Sequence, residues 1–172
     1  NNTGGPASGS IVEASPEAFL NAYQAHLVCN QLLAQTVLEG MKKANFGRII
    51  NIISTSVKEP IEGLGVSNTS RAAVAAWAKT WSTEVGRFGI TVNNVLPGFT
   101  ATQRLEAIVD IKIKQSGQSE QEVIDTMLSY VPARRFAAPE EVAAAVTFLA
   151  SPAAAYINGI NLPVDGGRTK SM

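Results

Sequence analysis

The segment "GLGVSNTSRAAVAAWAKTW", residues 63–81, has the spacing and flanks of a catalytic helix, and polar residues inside and outside it are of types that could do chemistry. Ser54 and Ser67 supply hydroxyl groups, Arg71 follows Ser67 on the same predicted helix, and His26 is the only histidine. A serine hydroxyl can donate a hydrogen bond but is a very weak acid, and a guanidinium group stays charged. Because the ordinary pKa of histidine is about 6.5, His26 is the member of this set suited to proton transfer near neutral pH.

The elements that must position these groups alternate between helix and strand. Ser15, Pro16 and Glu17 are typical of a helix start, with a capping hydroxyl, a proline at the first helical position and an acid in the first turn. Apolar residues then recur every three to five positions as far as Lys43, which predicts one long helix with a buried face. The β-branched run "GRIINIIS" predicts a central parallel strand covered on both faces.

The rest of the chain repeats this alternation. An alanine-rich helix is predicted from about Ser67 to Gly86, and "ITVNNVLPG" predicts a second strand parallel to the first. Two helices, over residues 102–115 and 119–130, form an insertion, and a capping box opens the second one. "PEEVAAAVTFLAS" and "INGINLPVDGG" supply a further core helix and a last strand. This order predicts a single α/β domain over residues 1–172, built on a parallel sheet.

The composition of the chain argues against several classes of partner. Its 14 basic and 14 acidic residues give no net charge and are scattered, so we expect neither nucleic acid nor an anionic membrane surface as a partner. No apolar run reaches the roughly 18 to 20 residues that span a bilayer, and no signal-peptide pattern is present. The single Cys29 cannot form an internal disulfide, and its apolar helical setting predicts a buried side chain. We therefore expect a cytoplasmic protein.

Ligands of open α/β sheets bind beyond the carboxyl ends of the strands. Ser54, the turn from Pro97 to Thr100 and the opening "NNTGG" are all expected there. A glycine-rich phosphate loop between a strand and a helix is missing, because neither "GGPASG" nor "GLGVSN" has the required glycine spacing. Both segments are interpreted as turns.

Several motifs in order carry a resemblance to a known family. They are "NNTGG", "GRIINIIS", the S-x-x-x-R segment before "AAV", "GITVNNVLPGFTAT", "PEEVAAAVTFLAS" and "VDGG". Together they resemble the C-terminal two thirds of a short-chain dehydrogenase/reductase, of the subgroup similar to 3-oxoacyl-acyl carrier protein reductases. The resemblance implies a Rossmann-type doubly wound parallel sheet in three α/β/α layers, with residues 100–135 as a substrate-lid insertion.

The same resemblance implies that the chain is a piece of a longer protein. The family's nucleotide loop belongs to a first half that this sequence does not contain, and the sequence begins with Asn1 rather than methionine. A fragment, a proteolysed protein and a partly resolved one all remain open. We expect the 172-residue piece alone to bind a nicotinamide cofactor weakly.

The family's catalytic set is a serine, a tyrosine, a lysine four residues after the tyrosine, and an asparagine on the preceding long helix. Ser54 matches the serine, whose implied role is to hydrogen-bond the carbonyl oxygen of the substrate. The tyrosine position holds Ser67, the lysine position holds Arg71, and the asparagine position holds His26, or Ala25 if the alignment moves by one residue. The implied catalytic residues are therefore Ser54, Ser67, Arg71 and His26.

These exchanges change the expected proton transfer. Ser67 cannot replace the acidic phenol of a tyrosine, while Arg71 can bind ribose hydroxyls of the cofactor but does not shuttle protons. We therefore predict that His26, through water and Arg71, supplies the proton. The alternatives are a His26 side chain satisfied by a backbone carbonyl or at a subunit interface, a Ser67 that only caps a helix, and an Arg71 that faces solvent or an interface.

The resemblance also implies a nicotinamide cofactor, NADP or NAD, and no metal site. Its expected binding residues are Asn2, Gly4, Arg71, Pro97, Gly98, Thr100 and Thr102. We expect an oxidoreductase that interconverts a small ketone and a secondary alcohol and that forms a homodimer or homotetramer. Leu105, Ile108 and Met127 indicate an apolar lid. The alternative is a non-catalytic relative that binds a nucleotide or serves in assembly.

Overall fold

The computed structural model of the chain describes residues 1–171. Its parallel sheet has the strand order β1–β2–β3, with β1 at Gly47–Ile52, β2 at Ile90–Pro97 and β3 at Asn161–Val164. The predicted α/β class with parallel strands is confirmed. Within residues 1–171, β2 lies between β1 and β3, and the Asn1 backbone hydrogen-bonds to the other edge of β1. An apolar run indicates that both faces of a strand are covered, but it does not indicate how many strands lie beside it.

Helices cover both faces of this sheet. The α-helices within residues 1–171 are α1 Pro16–Tyr23, α2 Cys29–Ala44, α3 Gly65–Val85, α4 Gln103–Ser116, α5 Glu120–Ser129 and α6 Pro139–Ala150. Helices α2 and α3 pack on one face through a core that includes Ala34, Ala78 and Val92. Helix α6 packs on the other face through Leu149 and Val146, against Val95. Helices on both faces of the sheet give the three-layer arrangement. Among the helices within residues 1–171, none combines the length and the apolar character that a membrane span requires.

The predicted long helix is present, with one irregular turn. The Ser15 hydroxyl accepts a hydrogen bond from the Ala18 amide at 3.3 Å, which caps α1 as expected. A π-helical turn, Gln24–Val28, joins α1 to α2 and contains His26. Asn45, in the left-handed region with φ of 46°, ends α2. The π turn is a feature that the sequence pattern did not predict.

The π turn accounts for a wrong prediction about Cys29. The Cys29 side chain is exposed rather than buried, and the buried positions of α2 are Asn30 and Ala34. One residue added to a helical turn rotates the following side chains by about 100° around the axis. The extra residue therefore turns Cys29 outward and Asn30 inward.

Helix α3 begins at Gly65, two residues before its predicted start. Leu64 occupies the capping position and makes no side-chain capping bond, so the interpretation of Ser67 as the helix cap is wrong. A Cβ on Gly65 would overlap the side chain of Ile11, so the opening loop packs directly against this helix end. Glycine permits that close approach.

The insertion after β2 forms its own small core. Helices α4 and α5 bury Leu105, Val109, Val123 and Met127 against one another, with Ile108 half-buried beside them. The predicted capping box is confirmed, because the Ser119 hydroxyl accepts from the Glu122 amide and the Glu122 carboxylate accepts from the Ser119 amide at 2.9 Å. Leu105, Ile108 and Met127, which the sequence indicated as an apolar lid, therefore bury much of their surface within the insertion.

A row of asparagine side chains crosses the sheet. Asn1 Nδ2 donates to Asn51 Oδ1, Asn51 Nδ2 donates to Asn94 Oδ1, and Asn94 Nδ2 donates to Asn161 Oδ1, each at 2.8 Å. The last three residues are neighbours in the strand register. The Asn1 backbone also bonds to β1, because its carbonyl accepts from the Ile52 amide at 2.9 Å. Buried polar groups need partners, and this row satisfies them from strand to strand.

Candidate active site at the strand tips

Arg71 projects from the inner face of α3 to the carboxyl end of β1. Its Nη1 donates to the carbonyl oxygen of Ile52, the last residue of β1, at 3.0 Å. The side chain is 9% exposed, so Arg71 does not face solvent. Its Nε is buried and has no hydrogen-bond partner within residues 1–171. Arg71 therefore brings a charged group with unused donor capacity to the strand end where ligands of this fold class bind.

Ser54 stands two residues beyond the end of β1. Its hydroxyl oxygen accepts a hydrogen bond from the Ser56 amide at 3.1 Å, which starts a short 3₁₀ turn at Thr55–Val57. Because the hydroxyl oxygen serves as the acceptor in that bond, its hydrogen stays available for donation. The half-buried Ser54 can therefore donate to a ligand oxygen near Arg71.

Ser67 lies in the first turn of α3, one helical turn before Arg71. Positions separated by four residues share a helix face, so Ser67 and Arg71 project in similar directions. Ser67 is half-buried, and its carbonyl oxygen accepts from the Ser70 hydroxyl at 3.2 Å. Ser67 adds a small hydroxyl to this face of α3, where the family has the larger phenol ring of a tyrosine.

His26 is almost fully buried in the π turn, at 2% exposure. Its pKa is lowered to about 4, first by burial and then by the nearby positive charge of Arg71, while a hydrogen bond with the Gly4 backbone acts in the opposite direction. The imidazole is therefore neutral at pH 7. Its Nε2 is buried without a partner in the described part of the chain. Single π turns within α-helices are frequent at functional sites.

A second arginine approaches Arg71 from helix α4. Burial lowers the pKa of Arg71, and the positive charge of Arg104 lowers it as well. Nη2 of Arg71 and Nη2 of Arg104 lie 3.7 and 3.8 Å from the point where a Cβ on Gly5 would stand. Gly5 is thus flanked by two guanidinium groups. Sequence spacing gave no signal for Arg104.

The turn after β2 forms the neighbouring part of the rim. Pro97 ends β2, and the Gly98 amide donates to the Val164 carbonyl at 2.9 Å. The Thr100 hydroxyl donates to the Gly98 carbonyl and the Thr102 hydroxyl to the Thr100 carbonyl, both at 3.3 Å. Thr102 is exposed and occupies the capping position of α4. The two threonines therefore hold the shape of this turn.

The opening segment forms an exposed part of the candidate site. Asn2 and Gly4 are both exposed, and no atom of residues 1–171 would lie within 4 Å of a Cβ on Gly4. A cavity of about 320 Å³ lies between this segment and the π turn, and its lining includes Gly4, Gly5, Asn21, His26 and Val66. Open space therefore adjoins the buried imidazole.

Arg168 was also missed by the sequence interpretation. Its Nη1 donates to the Thr55 hydroxyl at 3.1 Å, and its guanidinium lies 4.5 Å from the centre of the Phe99 ring. These contacts tie the C-terminal segment to the loops after β1 and β2. They place another cation beside the strand tips.

Comparisons with known proteins agree with this architecture. The family model described as enoyl-(acyl carrier protein) reductase matches residues 1–169. The chain is 37% identical to a 3-oxoacyl-[acyl-carrier-protein] reductase of Vibrio cholerae over 169 residues, 97% of this chain and 64% of that protein. It is 38% identical over 132 residues to the NADPH-dependent reductase BacG of Bacillus subtilis, covering 77% of this chain and 51% of that protein.

A solved structure extends the likeness to three dimensions. The crystal structure of YwfH, described as an NADPH-dependent reductase involved in bacilysin biosynthesis, superposes with a TM-score of 0.94 and 32% identity, over 100% of this chain and 66% of that one. The chain belongs to the short-chain dehydrogenase/reductase family. It spans about half to two thirds of the length of the curated relatives named above.

The residues present fit the nicotinamide end of a dinucleotide. The Nη2 group of Arg71, which lies beside the exposed Gly5, suits a ribose hydroxyl, and the open space beside Gly4 leaves room for the ribose and the ring. Arg71 and the turn from Gly98 to Thr102 would hold that end of the cofactor.

Proposed function

We propose that the protein containing this chain is an NADPH-dependent oxidoreductase that interconverts a ketone and a secondary alcohol. The observation that carries this proposal is the 3.0 Å hydrogen bond from Arg71 to the Ile52 carbonyl, which brings the cation to the strand end occupied by Ser54. The choice of NADPH is supported by the descriptions of BacG and YwfH as NADPH-dependent reductases. The 3-oxoacyl reductases among the relatives support a 3-oxoacyl-like substrate.

Ser54 would orient the substrate. Its hydroxyl hydrogen is free to donate, because the oxygen already accepts from the Ser56 amide. A hydrogen bond to the carbonyl oxygen of the substrate stabilises the negative charge that develops there during reduction. When bound, the nicotinamide supplies the hydride for that reduction.

Arg71 would bind and polarise without exchanging protons. A guanidinium keeps its charge at neutral pH, so Arg71 can hold ribose hydroxyls and stabilise a developing alkoxide through its field. The bond to Ile52 fixes its orientation. The family's lysine position thus retains a cation but loses a group that can titrate.

His26 would pass a proton along rather than store one. With a pKa of about 4, the imidazole is neutral at pH 7, so it would accept a proton from water at one ring nitrogen as the other nitrogen gives its proton, through water, to the substrate alkoxide. Its buried, unpartnered Nε2 and the adjoining cavity support a water-mediated route. Ser67 would contribute a hydrogen bond to that route and is too weak an acid to be its source.

Assembly and location complete the proposal. We infer a homodimer or homotetramer, because exposed apolar side chains on α2 and small exposed ones on α3 suit close packing of helices: Leu32, Leu33, Val37, Ala72 and Ala76. Light scattering of the protein at its natural length would measure the state, and a monomer would contradict it. The free thiol of Cys29 suits the reducing cytoplasm.

The function is tested by turnover at natural length. Short ketones and 3-oxoacyl thioesters are supplied with NADPH or NADH, and wild type is compared with Arg71→Ala, His26→Ala and the control Arg87→Ala. Arg87 precedes β2 and lies over the Phe88 ring, at the opposite end of the sheet from Pro97. We expect activity that falls in the first two variants and is kept in the control.

The second candidate function is a non-catalytic nucleotide-binding relative. The exchange that favours it is Ser67, which removes the phenol of the family's proton donor. Binding of NADPH without turnover of any ketone or thioester would support this alternative and contradict the reductase.

A further inference from the structure

Two arginine side chains, Arg71 and Arg104, meet beside Gly5, and neither forms a salt bridge with a carboxylate of residues 1–171. Both Nη2 atoms lie within 4 Å of the point where a Gly5 Cβ would stand, so the two guanidinium groups reach the same small space. The effect of the Arg104 charge on the pKa of Arg71 agrees with this proximity. The salt bridges found within residues 1–171 lie elsewhere and involve neither Arg71 nor Arg104.

Without a bound anion, the position of each arginine lowers the stability of the fold. Arg71 is 9% exposed, and its Nε lacks a partner in the described part of the chain. A buried cation without a counter-charge is costly. Arg104 is in the first turn of α4, where the helix dipole favours negative rather than positive charge. A bound anion would offset both costs.

Gly5 leaves the space between them open. It is exposed and has no side chain, so an oxygen-bearing group can approach both guanidinium groups there. Guanidinium groups bind carboxylates and phosphates through paired hydrogen bonds. Arg71 is fixed by its bond to Ile52, while Arg104 is exposed on the insertion. One partner is therefore pre-positioned and the other is accessible from solvent.

We propose that Arg71 and Arg104 together bind an anionic oxygen group of a ligand, a carboxylate or a phosphate, beside Gly5. This inference rests on the proposed reductase function and extends it to the class of ligand. The anion comes either from the substrate, which is then a carbonyl compound bearing an acidic group, or from the diphosphate of the cofactor. Both sources have the same chemistry, and the experiment separates them.

The test measures binding by calorimetry with the protein at its natural length, with and without NADP⁺. The probes are 2-oxobutyrate, its uncharged methyl ester and inorganic pyrophosphate. The variants are Arg104→Gln, the charge-preserving Arg104→Lys, and the control Arg87→Gln. Loss of a charge-assisted hydrogen bond is expected to weaken binding of the charged probe about 10- to 100-fold in Arg104→Gln. Arg104→Lys should retain part of that affinity, and Arg87→Gln all of it.

The pattern of losses identifies the source of the anion. Weaker binding of 2-oxobutyrate, with the methyl ester unaffected, assigns the site to an acidic substrate. Weaker binding of pyrophosphate alone, together with weaker binding of NADPH in the same calorimetric titrations, assigns it to the cofactor. Equal binding of both anions by wild type and Arg104→Gln, or no binding of either by wild type, overturns the proposal. Absence of turnover would count against the reductase and leave this binding comparison intact.

Discussion

Replacing Asn94 by alanine should interrupt the asparagine row at its centre. Asn94 is 2% exposed, its Oδ1 accepts from Asn51, and its Nδ2 donates to Asn161, both at 2.8 Å. The change leaves the Asn51 Nδ2 without a partner in a residue that is 0% exposed. A stranded buried donor costs about 1–3 kcal/mol, and the half-buried Asn161 loses less because water can reach it. We therefore expect a loss of about 2–4 kcal/mol in the free energy of unfolding.

Urea denaturation followed by circular dichroism measures this loss, and a double-mutant cycle with Asn51→Ala identifies its origin. The double variant removes the donor that Asn94→Ala would strand, so its loss should fall short of the sum of the single losses by about 1 kcal/mol or more. Additivity within about 0.5 kcal/mol would refute coupling through the row. A loss below about 0.5 kcal/mol in Asn94→Ala would refute the assigned role of its side chain.

The remaining predictions concern three other sites. The folded-state pKa of His26 is about 4 and the ordinary value is 6.5, so its stabilising effect is complete above pH 6.5 and declines as the pH falls towards 4. In urea titrations wild type should lose about 1–2 kcal/mol relative to His26→Gln between pH 7.5 and pH 5, and parallel curves would contradict this assignment. Gln31 accepts from the indole nitrogens of both tryptophans at 2.7 and 2.9 Å. Gln31→Leu should therefore cost about 1–3 kcal/mol and speed indole hydrogen exchange, whereas the exposed Gln35→Leu should do neither. The Glu59 carboxylate accepts from the Lys170 and Ser171 amides at 2.6 and 2.8 Å, so Glu59→Gln should accelerate tryptic cleavage after Lys170, and an unchanged rate would exclude this tether.

The elements with local signals could be predicted from the sequence. Three helices have start signals that act within one helical turn: the Ser15 hydroxyl for α1, the box of Ser119 and Glu122 for α5, and Pro139 for α6. Because these signals involve residues close in sequence, the starts of these three helices could be predicted. The stripe of Val142, Val146 and Leu149 also packs on the sheet as expected. Local chemistry and one-sided apolar spacing were sufficient for these features.

Features that depend on pairing could not be predicted in the same way. Asn51 and Asn94 interrupt apolar runs, and only the strand register shows that their side chains meet. The single added residue of the π turn similarly rotates Cys29 outward without leaving a local composition signal. Strand register and the rotation caused by the π turn determine these outcomes, and neither can be inferred from the periodic spacing of apolar residues.

The candidate site also contains residues that sequence motifs identify and residues that only the fold brings together. Arg71 and Ser54 were identified by spacing within known motifs, and the structure brings them to the same strand end. Arg104 and Gly5 are distant in sequence and meet only because the insertion folds back towards the opening segment. The motif therefore predicts the positions that the chain shares with the family, while the fold reveals Arg104 as a further cation beside them.

The central claim is that Arg71 and Ser54 form a site for hydride transfer to a carbonyl carbon. The most direct measurement supplies the protein at its natural length with NADPH that carries deuterium at the transferable position and with a 3-oxoacyl thioester, and mass spectrometry locates the label. We predict deuterium on the carbinol carbon of the product, with a rate at least about tenfold lower in Arg71→Ala. Tight NADPH binding without any label in the product, or an equal rate in Arg71→Ala, would contradict the account.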